Sequence, residues 1–150
     1  VELIDLLQLQ AHPEGGYYRR LYESRECLPS GRLLASAIVF LLPAGQLSRW
    51  HRVDADELWH FYEGAPLELL IADTPAAIER QLLGPVAAQM LPQRLVRAQA
   101  WQAARSQGDF SLVGCTLAPG FEFAGFALLA DEPQVQRDWP LLAAQYPELV

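Results

Sequence analysis

Trp50-His51-Arg52-Val53-Asp54-Ala55-Asp56-Glu57-Leu58-Trp59-His60-Phe61-Tyr62-Glu63-Gly64 reads as a strand, an acidic turn and a second strand closed by glycine. The apolar runs Gln46–His51 and Glu57–Tyr62 flank Asp54-Ala55-Asp56. No room exists between them for a crossover helix, so they are expected to run antiparallel. The same stretch carries two of the chain's three histidines. Imidazole, carboxylate and aromatic rings are what small-molecule sites are built from. Polar groups on an apolar strand are costly to bury, so their presence has a reason.

Outward from this pair the pattern repeats. Tyr17–Tyr22 is a strand of aromatic and Arg residues, and Leu33–Leu42 ends at Pro43-Ala44-Gly45. Leu67–Ala72, Ile78–Leu83 and Ala88–Leu91 each stop at a proline-containing turn. Ala100–Ala104 and Phe110–Leu117 flank Ser106-Gln107-Gly108-Asp109, and Phe123–Leu129 precedes Asp131-Glu132-Pro133. Turn signals about every 8–12 residues predict an all-β sandwich or barrel of antiparallel strands. Val1–Gln10 reads as a helix with Leu3, Leu6, Leu7 and Leu9 on one side, stopped by His12-Pro13-Glu14-Gly15-Gly16. Asp138–Tyr146 reads as a second helix, with Asp138 as cap and Pro140 in its first turn.

Composition narrows the function classes. The 150 residues suit one domain, 1–150, with length enough for a core. Eighteen acidic against eleven basic residues give a net charge of −7, and no basic stripe occurs, so nucleic acid is not an expected partner. The chain has no lysine, which excludes Schiff-base or lysine-base chemistry, and no asparagine, which excludes N-linked glycosylation. Cys27 and Cys115 are far apart and read as reduced thiols. No apolar run reaches the roughly 18 residues that span a bilayer, so no membrane partner and a cytoplasmic location are expected. GxSxG, P-loop and dinucleotide glycine fingerprints are missing.

Three blocks, His12-Pro-Glu-Gly-Gly-Tyr-Tyr-Arg, His51-Arg-Val-Asp-Ala-Asp-Glu-Leu-Trp-His-Phe and Val113-Gly-Cys-Thr-Leu-Ala-Pro-Gly-Phe, resemble the DUF985 (Cupin_5) group of the cupin superfamily, in that group's order. The resemblance spans nearly the whole chain. It implies a double-stranded β-helix, the cupin jelly-roll barrel, with short N- and C-terminal helices. The group is similar to the RmlC-like sugar-nucleotide epimerase jelly rolls, and its members look like homodimers. In the superfamily's first metal motif His51 matches the second histidine, Glu57 the glutamate and Gly64 the glycine, while Arg49 stands where the first histidine belongs. Gln102 takes the place of the second motif's histidine. Two good ligands, one poor one and a cationic neighbour are a weak set for a divalent metal. No cofactor is therefore expected; a metal, if held, would use His51, Glu57 and Gln102.

Strand parity sends Glu57, Trp59 and Phe61 into the barrel and Leu58, His60 and Tyr62 outward, unless a bulge reorients His60. The expected catalytic set is His51 as a base poised near neutrality, Glu57 orienting it, His60, and Tyr18 (or Tyr62) as acid. Arg19, Trp50, Trp59, Phe61, Trp101, Gln102, Thr116 and Phe121 are the expected ligand-binding residues. Each has a structural alternative: Trp59 and Trp101 as core aromatics, Arg19 as a solvated strand residue, His60 on a sheet or dimer face. His12 is read as a loop residue, and Asp54 and Asp56 as turn formers. Three functions stay open. They are a small polar, sugar- or nucleotide-like ligand with isomerase or epimerase chemistry, a non-catalytic binding or sensing module, and a metal-dependent enzyme. A homodimer is expected because Leu33–Leu42 is apolar on both faces.

Overall fold

The computed structural model describes residues 2–150, so Val1, the first residue of the expected N-terminal helix, lies outside them. A short helix α1 (Glu2–Leu7) leads to β1 (Gln10–Ala11), and the strands β2 (Tyr17–Glu23), β3 (Ser36–Pro43), β4 (Leu47–Val53), β5 (Asp56–Gly64) and β6 (Leu67–Thr74) follow. Then come β7 (Ala77–Leu83), β8 (Met90–Leu91), β9 (Gln93–Val96), β10 (Trp101–Ser106), β11 (Phe110–Ala118) and β12 (Phe126–Leu128). They form two six-stranded sheets, ordered β1-β2-β3-β11-β5-β9 and β12-β4-β10-β6-β7-β8. Consecutive strands alternate between sheets through most of the chain, which is jelly-roll topology. Pairing is antiparallel except between β7 and β8, where Leu82 and Leu83 run parallel to Met90 and Leu91. The expectation of antiparallel pairing throughout is corrected there. β9 falls in a stretch with no clear alternation and was not among the expected strands.

The two sheets face each other over Phe40, Leu42, Trp59, Leu69, Ile71, Val113 and Cys115. A second apolar layer lies behind the β4-β10-β6 sheet, where Trp50, Leu70, Ala72, Trp101 and Ala103 meet Leu129, Leu142 and Leu149. This explains β6, buried on both faces from Leu67 to Ala72, with Leu69 and Ile71 inward and Leu70 and Ala72 outward. The covering layer is α2 (Pro133–Asp138), α3 (Pro140–Gln145) and a terminal 3₁₀ turn, rather than one helix over Asp138–Tyr146. Asp138 ends α2 and accepts from Gln134 Nε2 at 3.0 Å instead of capping α3, because Pro140 forces the break before it. Among the described residues no helix is long and apolar enough to cross a membrane.

Local irregularities aim the polar side chains. Gln102 on β10 pairs with His51 while Ala104 pairs with Ser48, so β4 carries one extra residue. This bulge turns Ser48 and His51 to the same, inner side and Trp50 to the outer layer. The loop after β1 needs its glycine pair. Gly15 has φ +111° and Gly16 +74°, and a Cβ on Gly15 would run into the Leu47 carbonyl oxygen. Only glycine lets this loop press its backbone on β4 and deliver the preceding Glu14.

Candidate functional site

A cavity of about 510 Å³ opens at one end of the barrel. Its floor is polar, and aromatic rings form part of its wall beside charged and aliphatic side chains. Glu14, His51, Glu57 and Cys115 are all buried there, and Tyr18, His12, Phe121, Phe123 and Phe126 surround them.

Glu14 organises one half of the floor. Its carboxylate lies 3.0 Å from His51 Nε2 and accepts from Ser48 Oγ at 2.8 Å. The other ring nitrogen, His51 Nδ1, sits 2.7 Å from the Arg49 carbonyl oxygen. With an acceptor at each nitrogen, both must donate, so His51 is an imidazolium. Burial alone would lower its pKa, but the Glu14 charge and hydrogen bond override this, helped by Glu57, and lift it to about 9. Burial likewise pushes Glu14 up, yet the His51 and His12 charges win and hold it below the ordinary carboxylate value. The Glu14 backbone N–H donates to His12 Nδ1 at 3.1 Å, which leaves the proton of neutral His12 on Nε2. Burial keeps His12 below its ordinary pKa, with Glu14 opposing that and His51 reinforcing it.

Glu57 organises the other half. Gln102 Nε2 donates to Glu57 at 2.7 Å, and Gln102 Oε1 accepts from the Trp59 indole at 3.0 Å. Because an indole N–H only donates, Trp59 fixes which way round the amide lies. Burial raises the Glu57 pKa; His51 counters this, and Glu14 adds to it. The Cys115 thiol beside it is pushed well up by burial and by Glu57 and Glu14, so it stays a thiol.

Of the expected site residues, His51, Glu57, Tyr18 and Phe121 line the cavity. Trp59 and Gln102 stand just beneath, holding Glu57. The rest lie elsewhere. Trp50 and Trp101 face the outer layer under the C-terminal helices, because strand alternation that turns Gln102 inward turns Trp101 outward. Their indole N–H groups are buried without a partner. Phe61 packs against the interior core away from the cavity lining. His60 and Thr116 face outward, hydrogen-bonded to each other at 3.1 Å, and no bulge brings His60 inside. Arg19 is exposed, its guanidinium on the Leu7 carbonyl oxygen, while the neighbouring Arg20 reaches the cavity. Tyr62 is also outside, over Gly114.

His12 and Glu14 lie in the site although His12 was expected to be a loop residue and Glu14 had no assigned role. The signal was available in the His12-Pro-Glu-Gly-Gly block, whose paired glycines demand close backbone approach. The floor does not suit a metal ion. Both His51 nitrogens are committed to oxygen acceptors, and Gln102 turns its amide nitrogen, not its oxygen, toward Glu57. Among the described residues no cluster of three or more His, Cys, Asp or Glu is placed to hold one. Arg49, at the position of the missing histidine, reaches the Pro13 carbonyl oxygen at the surface.

Comparison with known proteins gives a consistent picture. The family profile described as "Cupin superfamily (DUF985)" matches residues 1–129. The structure is similar to that of protein SO0799 from Shewanella oneidensis, at 35% identity and a TM-score of 0.91 over 99% of this chain and 94% of that one. A hypothetical protein from Leishmania major is similar at 28% identity and a TM-score of 0.87, over 99% and 97% of the two chains. Oxalate decarboxylase from Bacillus subtilis shares the fold alone, at 14% identity and a TM-score of 0.64, with 93% of this chain matched to 36% of the enzyme. No curated protein matches the sequence.

Proposed function

We propose, for a chain that belongs to the DUF985 family of the cupin superfamily, that the barrel mouth binds a small polar molecule with a ring or compact apolar body, its polar end on Glu57. One observation carries this reading: a buried carboxyl with no direct ion-pair partner, Glu57, lines a cavity that also presents the rings of Tyr18, Phe121, Phe123 and Phe126. A sugar- or nucleoside-like body suits a cavity of about 510 Å³ with stacking surfaces on its wall. If the bound molecule is turned over, the floor supports proton transfer of the isomerase or epimerase kind. Glu57 is then the exchanging group, since burial moves its proton affinity toward neutrality, where general acid–base catalysis works best. His51 holds both its protons against acceptors, so it serves as a fixed positive charge facing Glu14 and Glu57 rather than as the base. Tyr18 on the wall is the candidate partner acid.

The same commitment of His51 favours a second reading, binding without turnover. A thermal-shift screen of sugars, nucleosides, small acids and small amines separates these outcomes. At least one compound class should raise the Tm of the wild type, and the Glu57→Gln variant should lose half or more of that rise. Product analysis of the hits then distinguishes turnover from binding alone. If no compound shifts the Tm, or if the hits ignore the Glu57→Gln change, the cavity is not the site.

A further inference from the structure

We propose that the ligand of this cavity is a small organic cation, its charge held among the aromatic rings above the Glu57 carboxyl; this rests on reading the cavity as a ligand site. The charged groups of the lining decide it. Four carboxyl groups, Glu14, Glu23, Glu57 and Glu122, face one guanidinium, Arg20, and one imidazolium, His51. Both cations are already matched: Arg20 lies 3.1 Å from Glu23 and also reaches the Phe121 carbonyl oxygen, and His51 lies 3.0 Å from Glu14. Among the described residues the cation near Glu122 is Arg32 at 3.9 Å, and that guanidinium is bound in forked geometry to Asp54. Glu57 receives hydrogen bonds from neutral donors alone, the Gln102 amide and the Cys115 thiol. Among the described residues no uncommitted positive charge lines the cavity. A phosphate or carboxylate would have to break an existing ion pair to find a counter-charge, and would still face carboxylates.

The wall supplies what a cation needs. Phe121 and Phe123 stand edge to face with centroids 4.9 Å apart, and Phe126 lies within 5.9 Å of Phe121 and 6.2 Å of Phe123. Phe126 also lies 5.9 Å from His12, which meets Tyr18 at 4.7 Å, so the rings are continuous around the mouth. Ring faces attract cations by their quadrupole, most strongly where water is excluded. The one cation near Glu57, His51, is hydrogen-bonded to Glu14, so a ligand cation seated there supplies the direct counter-charge, and the Glu57 proton then leaves to solvent. The net charge of −7 adds a long-range attraction of the same sign.

Three probes of one shape test the charge: choline, its neutral isostere with tert-butyl in place of trimethylammonium, and the tert-butylacetate anion. Choline should bind roughly tenfold or more tighter than the neutral alcohol by calorimetry, and the anion should not compete. The Glu57→Gln variant should weaken choline roughly tenfold and the alcohol by much less, so that the advantage of the cation shrinks while residual binding of the alcohol shows that the cavity is intact. Phe126→Leu keeps an apolar wall without the ring face and should weaken choline several-fold. If the alcohol matches choline, or the anion binds best, the cation proposal fails while the cavity stands as a binding site. If none of the three binds at about 10 mM, the cation proposal fails, and the cavity reading fails with it only if the thermal-shift screen is also blank.

Discussion

Glu14 and His51 form a buried pair whose partners cannot be removed singly without leaving an unmatched charge. Glu14→Gln should therefore destabilise the fold by roughly 3–5 kcal/mol, measured by urea denaturation. The pair also sets a pH window. His51 has its folded pKa raised from 6.5 to about 9, so its contribution is full below 6.5 and fades as pH rises through 9. Glu14 has its pKa lowered from 4.5, so its contribution is full above 4.5 and fades as pH falls through the depressed value. The Tm should decline between about pH 6.5 and pH 9 and then level off, and the His51→Gln variant, with nothing to titrate there, should lack that decline. His51 and Glu57 were recognisable as neighbours because one short acidic turn joins their strands. The Glu14 contact was not, since it joins a loop before β2 to a bulge in β4 across 37 positions of chain. The expectation of a free histidine base is corrected for the same reason: the carboxylate that accepts from His51 and keeps it protonated comes from far along the sequence.

The loop Glu14–Gly16 and the β4 bulge work as one device, since each presses on the other's backbone. Arg49 N–H donates to the Glu14 carbonyl oxygen at 2.9 Å, in addition to the side-chain bonds. Gly15→Ala places a side chain at φ +111° and against the Leu47 carbonyl oxygen. It should cost roughly 1–3 kcal/mol in denaturant melts and weaken any cavity ligand at the same time. Gly31→Ala is the control, because its Cβ meets nothing and only its φ of +87° is strained. Most strands could be placed from alternation and turn residues, to within a few positions at each end. Periodicity could not tell which face of β10 met the cavity. Trp101 and Gln102 are adjacent, both polar-tipped and both buried, and only pairing with β4 and β6 decides which points in.

The two sheets are covered unequally, and this bears on assembly. The β4-β10-β6 sheet has the C-terminal helices behind it. Among the described residues the outer face of the β11-β5-β9 sheet has no such layer, and the row Leu95, Leu58, Thr116, Ala37 runs across four strands. Leu58 and Leu95 are each 37% exposed and Tyr62 is 56% exposed. We expect a second copy of the chain to cover this face, with His60 in the contact. Light scattering at micromolar concentration should give twice 16.7 kDa, and Leu58→Arg should return the monomer mass with an unchanged circular dichroism spectrum. A monomeric wild type would end that expectation. The jelly roll was recognisable from strand spacing and three sequence blocks together. The open face was not, because whether an apolar face is covered depends on where the terminal helices pack.

The chain from Trp59 through Gln102 to Glu57 wires an indole to the cavity floor by two hydrogen bonds. The protein thus has its own optical gauge. Of its four tryptophans, this one alone should change emission wavelength when a titrant reaches Glu57, so occupancy can be followed without a dye, and Trp59→Phe should silence the signal.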